Sequence, residues 1–223
     1  MNKDLNLLIV DDHPMIVDGY CTIFNNLVEG YNFNIYCAYN SEEAFKIIEQ
    51  NSKLKNKIDI ALLDVSLPAY KEEKIFCGGD LAKVFKEKYP TSKVIMITMH
   101  HEGIIIDKII SKVNPEGFIN KSDVGFETFS EVFKVILGGE KFISKTIYNS
   151  INELNNKKFG FDNIDYEIIS LIEKGIKTKD LPNYIPITLS AIEKRKVKIK
   201  FQVLNQSGND NELIERVRKL NLI

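Results

Sequence analysis

The residues of this chain best suited to chemistry are three aspartates, a threonine and a lysine: Asp11, Asp12, Asp64, Thr98 and Lys121. They follow a series of short apolar runs. Asp64 stands at the centre. It ends the run Ile58-Asp59-Ile60-Ala61-Leu62-Leu63, short and dense enough for a strand buried on both faces. Val65-Ser66-Leu67-Pro68 cannot prolong a central strand, because Pro68 has no amide proton to donate. A carboxylate is thus expected at the C-terminal lip of a sheet, where open α/β folds place their ligand sites. Carboxylates converging on one point repel by about 4 kcal/mol per pair at ~4 Å and an effective dielectric of about 20. Such a cluster must take up protons or hold a cation, and oxygen-only ligands with room for water favour Mg²⁺ over zinc. In that setting Asp64 is a nucleophile for aspartyl-phosphate formation. The cation and the Lys121 ammonium would offset charge on the phosphoryl oxygens, and the Thr98 hydroxyl would donate to the added group.

The elements that must position these groups follow from patterning. Residues 5–10 read as a buried strand leading into Asp11-Asp12-His13-Pro14, and Pro14 suits the first turn of a helix running to about residue 28. Residues 34–38 form a second strand, and Asn40 with Glu43 caps a helix through residue 49. The strand ending at Asp64 is followed by a polar connection over 69–79 and a helix over 80–88 that stops before Pro90. A strand over 93–97 ends at Thr98, a helix spans 102–113, and a strand over 117–120 ends at Lys121. A helix over 126–137 closes at Gly138-Gly139. Five βα units in order mean an α/β fold, a doubly wound five-stranded parallel sheet with helices on both faces. Right-handed crossovers put all the strands' C-terminal ends on one edge, so the five chemical residues share a crevice.

The 223 residues suffice for two small domains. The formal net charge of −1 hides an asymmetry. Residues 1–160 hold 19 Lys/Arg against 22 Asp/Glu (net −3), while residues 161–223 hold 11 against 9 (net +2). An acidic ion-binding front and a basic back that meets polyanions fit that split. Cys21, Cys37 and Cys77 are odd in number and lack metal-ligand spacing, which implies a reducing compartment. No apolar stretch approaches the ~20 residues of a membrane span, and Asp11-Asp12 arrives too early for a signal peptide. A soluble, cytoplasmic protein without a membrane partner is expected. From 140 to 160 the strand rhythm disappears and residues 152–158 become Asn/Lys-rich, which reads as a linker with a short helix near 144–154. The domains are therefore 1–139, a linker over 140–160, and a small all-α domain over 161–223.

In that last segment Thr188 caps a long helix. Stepping about 100° per residue from it gathers Ile192, Ile199 and Val203 into one arc, which should face the core. Opposite lie Ser190, Lys194 and Val197 with Glu193 alongside, and Arg195, Lys196, Lys198 and Lys200 flank both arcs. One buried stripe, a mixed opposite face and basic flanks suit insertion into a DNA major groove. The terminal helix carries apolar residues at 213, 214, 217 and 220.

The runs Leu8-Ile9-Val10-Asp11-Asp12-His13-Pro14, Leu62-Leu63-Asp64-Val65, Ile97-Thr98-Met99-His100 and Gly117-Phe118-Ile119-Asn120-Lys121 together resemble a response-regulator receiver domain, flavodoxin-like in fold, over about residues 1–140. The resemblance implies phosphorylation of Asp64 by a sensor histidine kinase. It implies Mg²⁺ held by Asp12, Asp64 and the backbone carbonyl of Ser66, with Asp11 assisting through water. Thr98 and Phe118 would be the switch pair. Two departures stand out: the 69–79 connection is several residues longer than the family norm, a gate to Asp64, a means of lengthening the phosphoryl lifetime or an inert insertion, and Ser122 stands where many receivers have proline. Residues 160–223 resemble a LuxR-type helix-turn-helix through Glu167-Ile168-Ile169, Leu171-Ile172, Gly175, Leu181, Ile187-Thr188 and Ala191-Ile192. Here Pro182 requires the supporting helix to be short or distorted, Arg195 replaces the usual histidine, and Glu193 replaces a common lysine. Ser190, Glu193, Lys194, Arg195, Val197 and Lys198 are the expected DNA contacts. In the family it resembles, the helix equivalent to the terminal one also pairs two DNA-binding domains, so the resemblance implies a homodimer on two half-sites of double-stranded DNA.

The chain thus reads as a DNA-binding response regulator of the NarL/LuxR type, with no enzymatic turnover beyond its own phosphorylation and dephosphorylation at Asp64. The alternative is a phosphorylation-controlled protein-binding module whose helix-turn-helix no longer meets DNA. A phosphohydrolase using an aspartyl intermediate commonly has an acid/base Asp two residues after the nucleophile, where this chain has Ser66.

Overall fold

The computed structural model describes residues 2–26, 28, 30–220 and 222. Strands β1 (Lys3–Val10), β2 (Tyr31–Ala38), β3 (Ile60–Asp64), β4 (Lys93–Thr98), β5 (Gly117–Asn120) and β6 (Phe142–Ile143) form one sheet in the order β2-β1-β3-β4-β5-β6. Every pairing is parallel. Buried on both faces, β3 is apolar up to its last residue, as a central strand must be. Helices α1 (Pro14–Asn26), α2 (Ser41–Lys53), α3 (Gly78–Lys88), α4 (Gly103–Val113) and α5 (Phe126–Leu137) fill the crossovers. α1 and α5 cover one face, where Phe24, Phe129 and Phe133 pack on Leu7, Ile9, Leu62, Ile97 and Ile119.

Five strands are expected from sequence, and the sixth is a correction. Phe142–Ile143 adds to the edge beside Gly117 and Phe118, but two residues are too few to show a period of two. The remainder of the expected linker is also structured. Helix α6 spans Lys145–Phe159, with Ile147 and Ile151 buried, despite its Asn/Lys-rich composition. The chain divides into compact units at 1–148 and 149–223, so the division falls inside α6. The expected reach of the first helix to about residue 28 passes through Leu27, outside the described residues; α1 ends at Asn26.

The long connection after β3 is an ordered hairpin. Tyr70 and Ile75 exchange backbone hydrogen bonds of 2.8 and 3.0 Å around a 3₁₀ turn at Lys71–Glu73, and Lys74 takes the left-handed conformation with φ 58°. Ile75 is buried, and Tyr70 packs edge-on against Phe45 of α2. The chain then runs close beneath Asp64: Gly78 N donates to Val65 O at 2.9 Å.

The second unit contains α7 (Asn163–Glu173), a 3₁₀ turn over Thr178–Asn183, α8 (Leu189–Leu204) and α9 (Asp210–Lys219). Pro182 lies in the 3₁₀ segment, so the supporting helix is indeed short and distorted. Ile192, Ile199 and Val203 enter the core of this unit as the helical arc requires. Leu213 and Val217 of α9 are fully buried in the same core, with Ile214 and Leu220 packed against it. Among the described residues, the apolar side chains of α9 are therefore mostly spent on this core. No helix among the described residues is long and apolar enough to cross a membrane.

Gly78→Ala is a test of the close approach. A Cβ there would lie 1.8 Å from the Asp64 backbone oxygen, so the substitution should destabilise the first unit by roughly 2–4 kcal/mol despite alanine's better helix propensity. Urea unfolding should report that loss.

Candidate functional site

The strands deliver their end residues to one edge. Registers Val10↔Leu63 and Asp64↔Ile97 put Asp11, Asp64 and Thr98 on adjacent strand ends, and Lys121 N donates to Thr98 O at 2.8 Å just beyond β5. Lys121 Nζ lies 2.6 Å from Asp11 Oδ2 and 2.8 Å from Asp64 Oδ1. All three side chains are largely buried. The ammonium therefore satisfies two carboxylates that would otherwise repel across a medium of reduced dielectric. Burial by itself would lower the lysine's pKa, but the hydrogen bonds and charges of Asp11 and Asp64 together hold it above the ordinary lysine value.

The free oxygens are also assigned. Asp64 Oδ2 accepts from Ser66 N at 2.7 Å, and Asp11 Oδ1 accepts from His13 N at 3.1 Å. Asp12 is more open, with its side chain 33% exposed, and His13 Nδ1 lies 2.8 Å from its Oδ1 and 3.2 Å from Asp11 Oδ1. Ligand atoms of Asp11, Asp12 and His13 all lie within 4.8 Å of one another. Asp64 is linked to that group through Lys121 and Asp11. The donors are carboxylate oxygens with an open side toward solvent, and this chemistry fits a hard divalent cation such as Mg²⁺. His13 is two-thirds exposed, so its imidazole can swing away without disturbing the core.

Thr98 is buried, and its hydroxyl oxygen accepts from His100 N at 2.9 Å, which leaves its hydroxyl hydrogen to donate elsewhere. Phe118 is buried in β5 and, by strand alternation, faces away from the α1/α5 side to which its neighbour Ile119 belongs. Three contributors lie outside the residues anticipated from sequence. Asn120 is buried and donates through Nδ2 to His100 O at 3.3 Å, while its backbone N donates to Ser144 Oγ at 2.9 Å. Its Oδ1 accepts from Ser122 N at 3.0 Å, a bond that proline at 122 could not donate. The third is Tyr20 on α1: burial, reinforced by the Asp11 and Asp64 charges, raises its phenol well above the tyrosine range and keeps it neutral. Its only sequence signal is its place on the inward face of α1.

In the second unit the candidate contacts separate into two sets. Ser190, Glu193, Lys194, Val197 and Lys198 are exposed along one side of α8. Phe201, unremarked in the sequence, joins them; Val197 and Phe201 are 70% and 66% exposed. Placed on the same wheel, Phe201 falls between Val197 and Lys194, a signal hidden by attention to charge. Arg195 belongs elsewhere. Its Nη1 lies 2.8 Å from Asp162 Oδ2 and 2.8 Å from Asp165 Oδ1, the latter on a fully buried residue. Lys196 and Lys200 are likewise drawn to Asp210 at 2.6 and 2.7 Å. The expectation of Arg195 as a DNA contact is thus redirected: its guanidinium clamps the start of α7.

A family model for the response regulator receiver domain matches residues 7–128. The chain belongs to the response regulator receiver domain family. Over its length it is similar to the oxygen regulatory protein NreC of Staphylococcus haemolyticus, 22% identical with 98% of this chain and 99% of the relative covered. It is also similar to the transcriptional regulatory protein RcsB of Escherichia coli, 20% identical with 87% and 86% covered. Among solved structures, the Salmonella typhimurium RcsB response regulator superposes with a TM-score of 0.56 at 20% identity, covering 98% of this chain and 99% of that one. An RcsB–DNA complex superposes at 0.55 and 18%, covering 97% and 99%.

Replacing Lys121 with methionine leaves two buried carboxylates facing each other. Lys121→Met should cost about 3 kcal/mol at pH 7 in chelator. Part of that stability should return with millimolar Mg²⁺, which would take the lysine's place between the carboxylates. Thermal melts with and without Mg²⁺ check both effects.

Proposed function

We propose that this protein is a DNA-binding transcription regulator controlled by phosphorylation of Asp64 by a sensor histidine kinase. The observation that carries the reading is the Lys121 ammonium held between Asp11 and Asp64 at the open edge of the sheet. Asp64 has one oxygen oriented by Ser66 N and the other by a cation, so the carboxylate is aimed rather than free to rotate. In transfer, an Asp64 oxygen forms a bond to phosphorus while the bond from phosphorus to the donor's imidazole nitrogen breaks, and the imidazole departs as the leaving group. Asp11, Asp12 and Asp64, with the Ser66 carbonyl, would hold Mg²⁺, which when bound supplies positive charge to the phosphoryl oxygens. Lys121 is already placed to follow the added charge, and Thr98 has a hydroxyl hydrogen to give it. The new group adds nearly two negative charges. Lys121, drawn toward it, loosens from Asp11; Phe118 and the surface around α4, β5 and α5 then report the change.

For the second unit, the exposed face of α8 supports major-groove reading, with Lys194 and Lys198 toward phosphates and Val197 and Phe201 toward thymine methyls. RcsB, a relative of like length and fold, is described in complex with DNA and as two dimers on parallel DNAs. A homodimer on double-stranded DNA is the working form we assign. Because Leu213 and Val217 of α9 are buried in the second unit's own core, pairing is assigned to other surfaces. The competing protein-binding reading draws on the Glu193 carboxylate exposed on the same face.

Asp64→Ala should abolish Mg²⁺-dependent labelling by acetyl phosphate, and undiminished labelling would reject the acceptor assignment. On DNA, log affinity should fall steeply with log salt, by about −0.9 per phosphate contacted. Lys194→Ala and Lys198→Ala should each flatten that slope by roughly one contact, whereas Arg195→Ala should lower the second unit's melting temperature instead. A flat slope for the phosphorylated native chain favours the protein-binding reading.

A further inference from the structure

Two of the three cysteines meet in the folded chain. Cys21 lies on α1 and Cys37 on the edge strand β2, 16 positions apart in sequence, and their sulfurs are 3.6 Å apart. Both are partly exposed free thiols. Cys37 shares the α1-facing side of β2 with Phe33 and Ile35, and all three pack against the same core as Cys21. Nothing in the phosphoacceptor site uses either residue, and Cys77 lies apart, in the turn before α3.

We propose that Cys21 and Cys37 form a dithiol that a hydroperoxide oxidises to an intramolecular disulfide, stapling α1 to the edge of the sheet. The sulfurs are close enough that side-chain rotation must close only about 1.5 Å to reach the ~2.05 Å of a disulfide. Burial, helped by the hydrogen bond with Cys21, pushes the Cys37 thiol up to about 12, so Cys37 keeps its proton at neutral pH. Either thiol can react first and the products are the same. With Cys21 first, its sulfur bonds to one peroxide oxygen, the O–O bond breaks, and the released hydroxide takes the Cys21 proton and leaves as water. Cys21 is then a sulfenic acid. The Cys37 sulfur attacks the Cys21 sulfur, the S–O bond breaks, and the departing hydroxide takes the Cys37 proton as a second water. Two thiols are oxidised and one hydroperoxide is reduced.

The consequence is mechanical. α1 begins at Pro14, directly after the Asp11-Asp12-His13 loop, and carries Tyr20, whose buried phenol feels the charges of Asp11 and Asp64. A bond at the next residue ties that helix to β2, whose Ala38 oxygen accepts from Asp11 N. In a reducing compartment the bridge would be transient, as regulatory disulfides are.

The test uses the native full-length chain, reduced and then exposed to hydrogen peroxide at a few equivalents, with thiols blocked before digestion. Non-reducing peptide mass mapping should show a peptide linking residues 21 and 37, lighter by two hydrogens and lost on adding dithiothreitol. The oxidised chain should melt several degrees higher, with amide exchange in α1 slowed about tenfold. Two outcomes overturn the proposal: both cysteines recovered blocked or oxidised singly, or bridges found only to Cys77 or between chains. The mapping does not depend on Asp64 chemistry, so it can fail while the phosphoacceptor reading stands, and the reverse.

Discussion

The placement of one ammonium between two buried carboxylates governs the first unit. Asp11 follows β1, Asp64 ends β3, and Lys121 follows β5; the parallel order β1-β3-β4-β5 brings all three to one edge, with Lys121 reaching across the β4 end. Without the cation, burying both carboxylates would cost several kcal/mol or force protonation. With it, the buried pair is held together, but three carboxylates against one ammonium leave the site net negative and open through Asp12. Such an arrangement is easily disturbed by a doubly charged group, and the lysine is the member able to respond, because its long stem reaches either carboxylate.

The surroundings make that arrangement specific. Ser66 N and His13 N orient the carboxylates from the turns that follow their strands, and Asn120 ties the β5 end to the β4 loop through His100 and to the sixth strand's edge through Ser144. The 66–77 connection is pulled under Asp64 so tightly that only a glycine fits at 78. These are backbone and short side-chain bonds with little freedom, while Lys121 is the longest side chain in the site and His13 and Asp12 the most exposed. That division of a rigid frame and a few long or exposed side chains suits a two-state response.

The second unit sorts its basic residues by the same electrostatic logic. Arg195, Lys196 and Lys200 are drawn to Asp162, Asp165 and Asp210 and hold the helices together. Lys194 and Lys198 stay on the exposed face beside Val197 and Phe201. These internal pairs take equal numbers of cations and carboxylates and leave the net +2 of residues 161–223 unchanged, so position on the helix decides which lysines carry it at the surface.

Much of this is legible in the sequence. Apolar runs ending in Asp, Thr or Lys announce strand ends, and right-handed crossovers oblige those ends to share an edge, so Asp11, Asp64, Thr98 and Lys121 could be gathered from sequence alone. Helical spacing likewise dictated that Ile192, Ile199 and Val203 face inward, because a period of 3.6 leaves them no other common side. Tertiary structure alone decided the rest. The two-residue β6 carries no periodic signal, the Arg195 clamp depends on where α7 comes to lie against α8, and the meeting of Cys21 with Cys37 depends on α1 packing over an edge strand. These are contacts between segments distant along the chain, and local pattern does not encode their geometry.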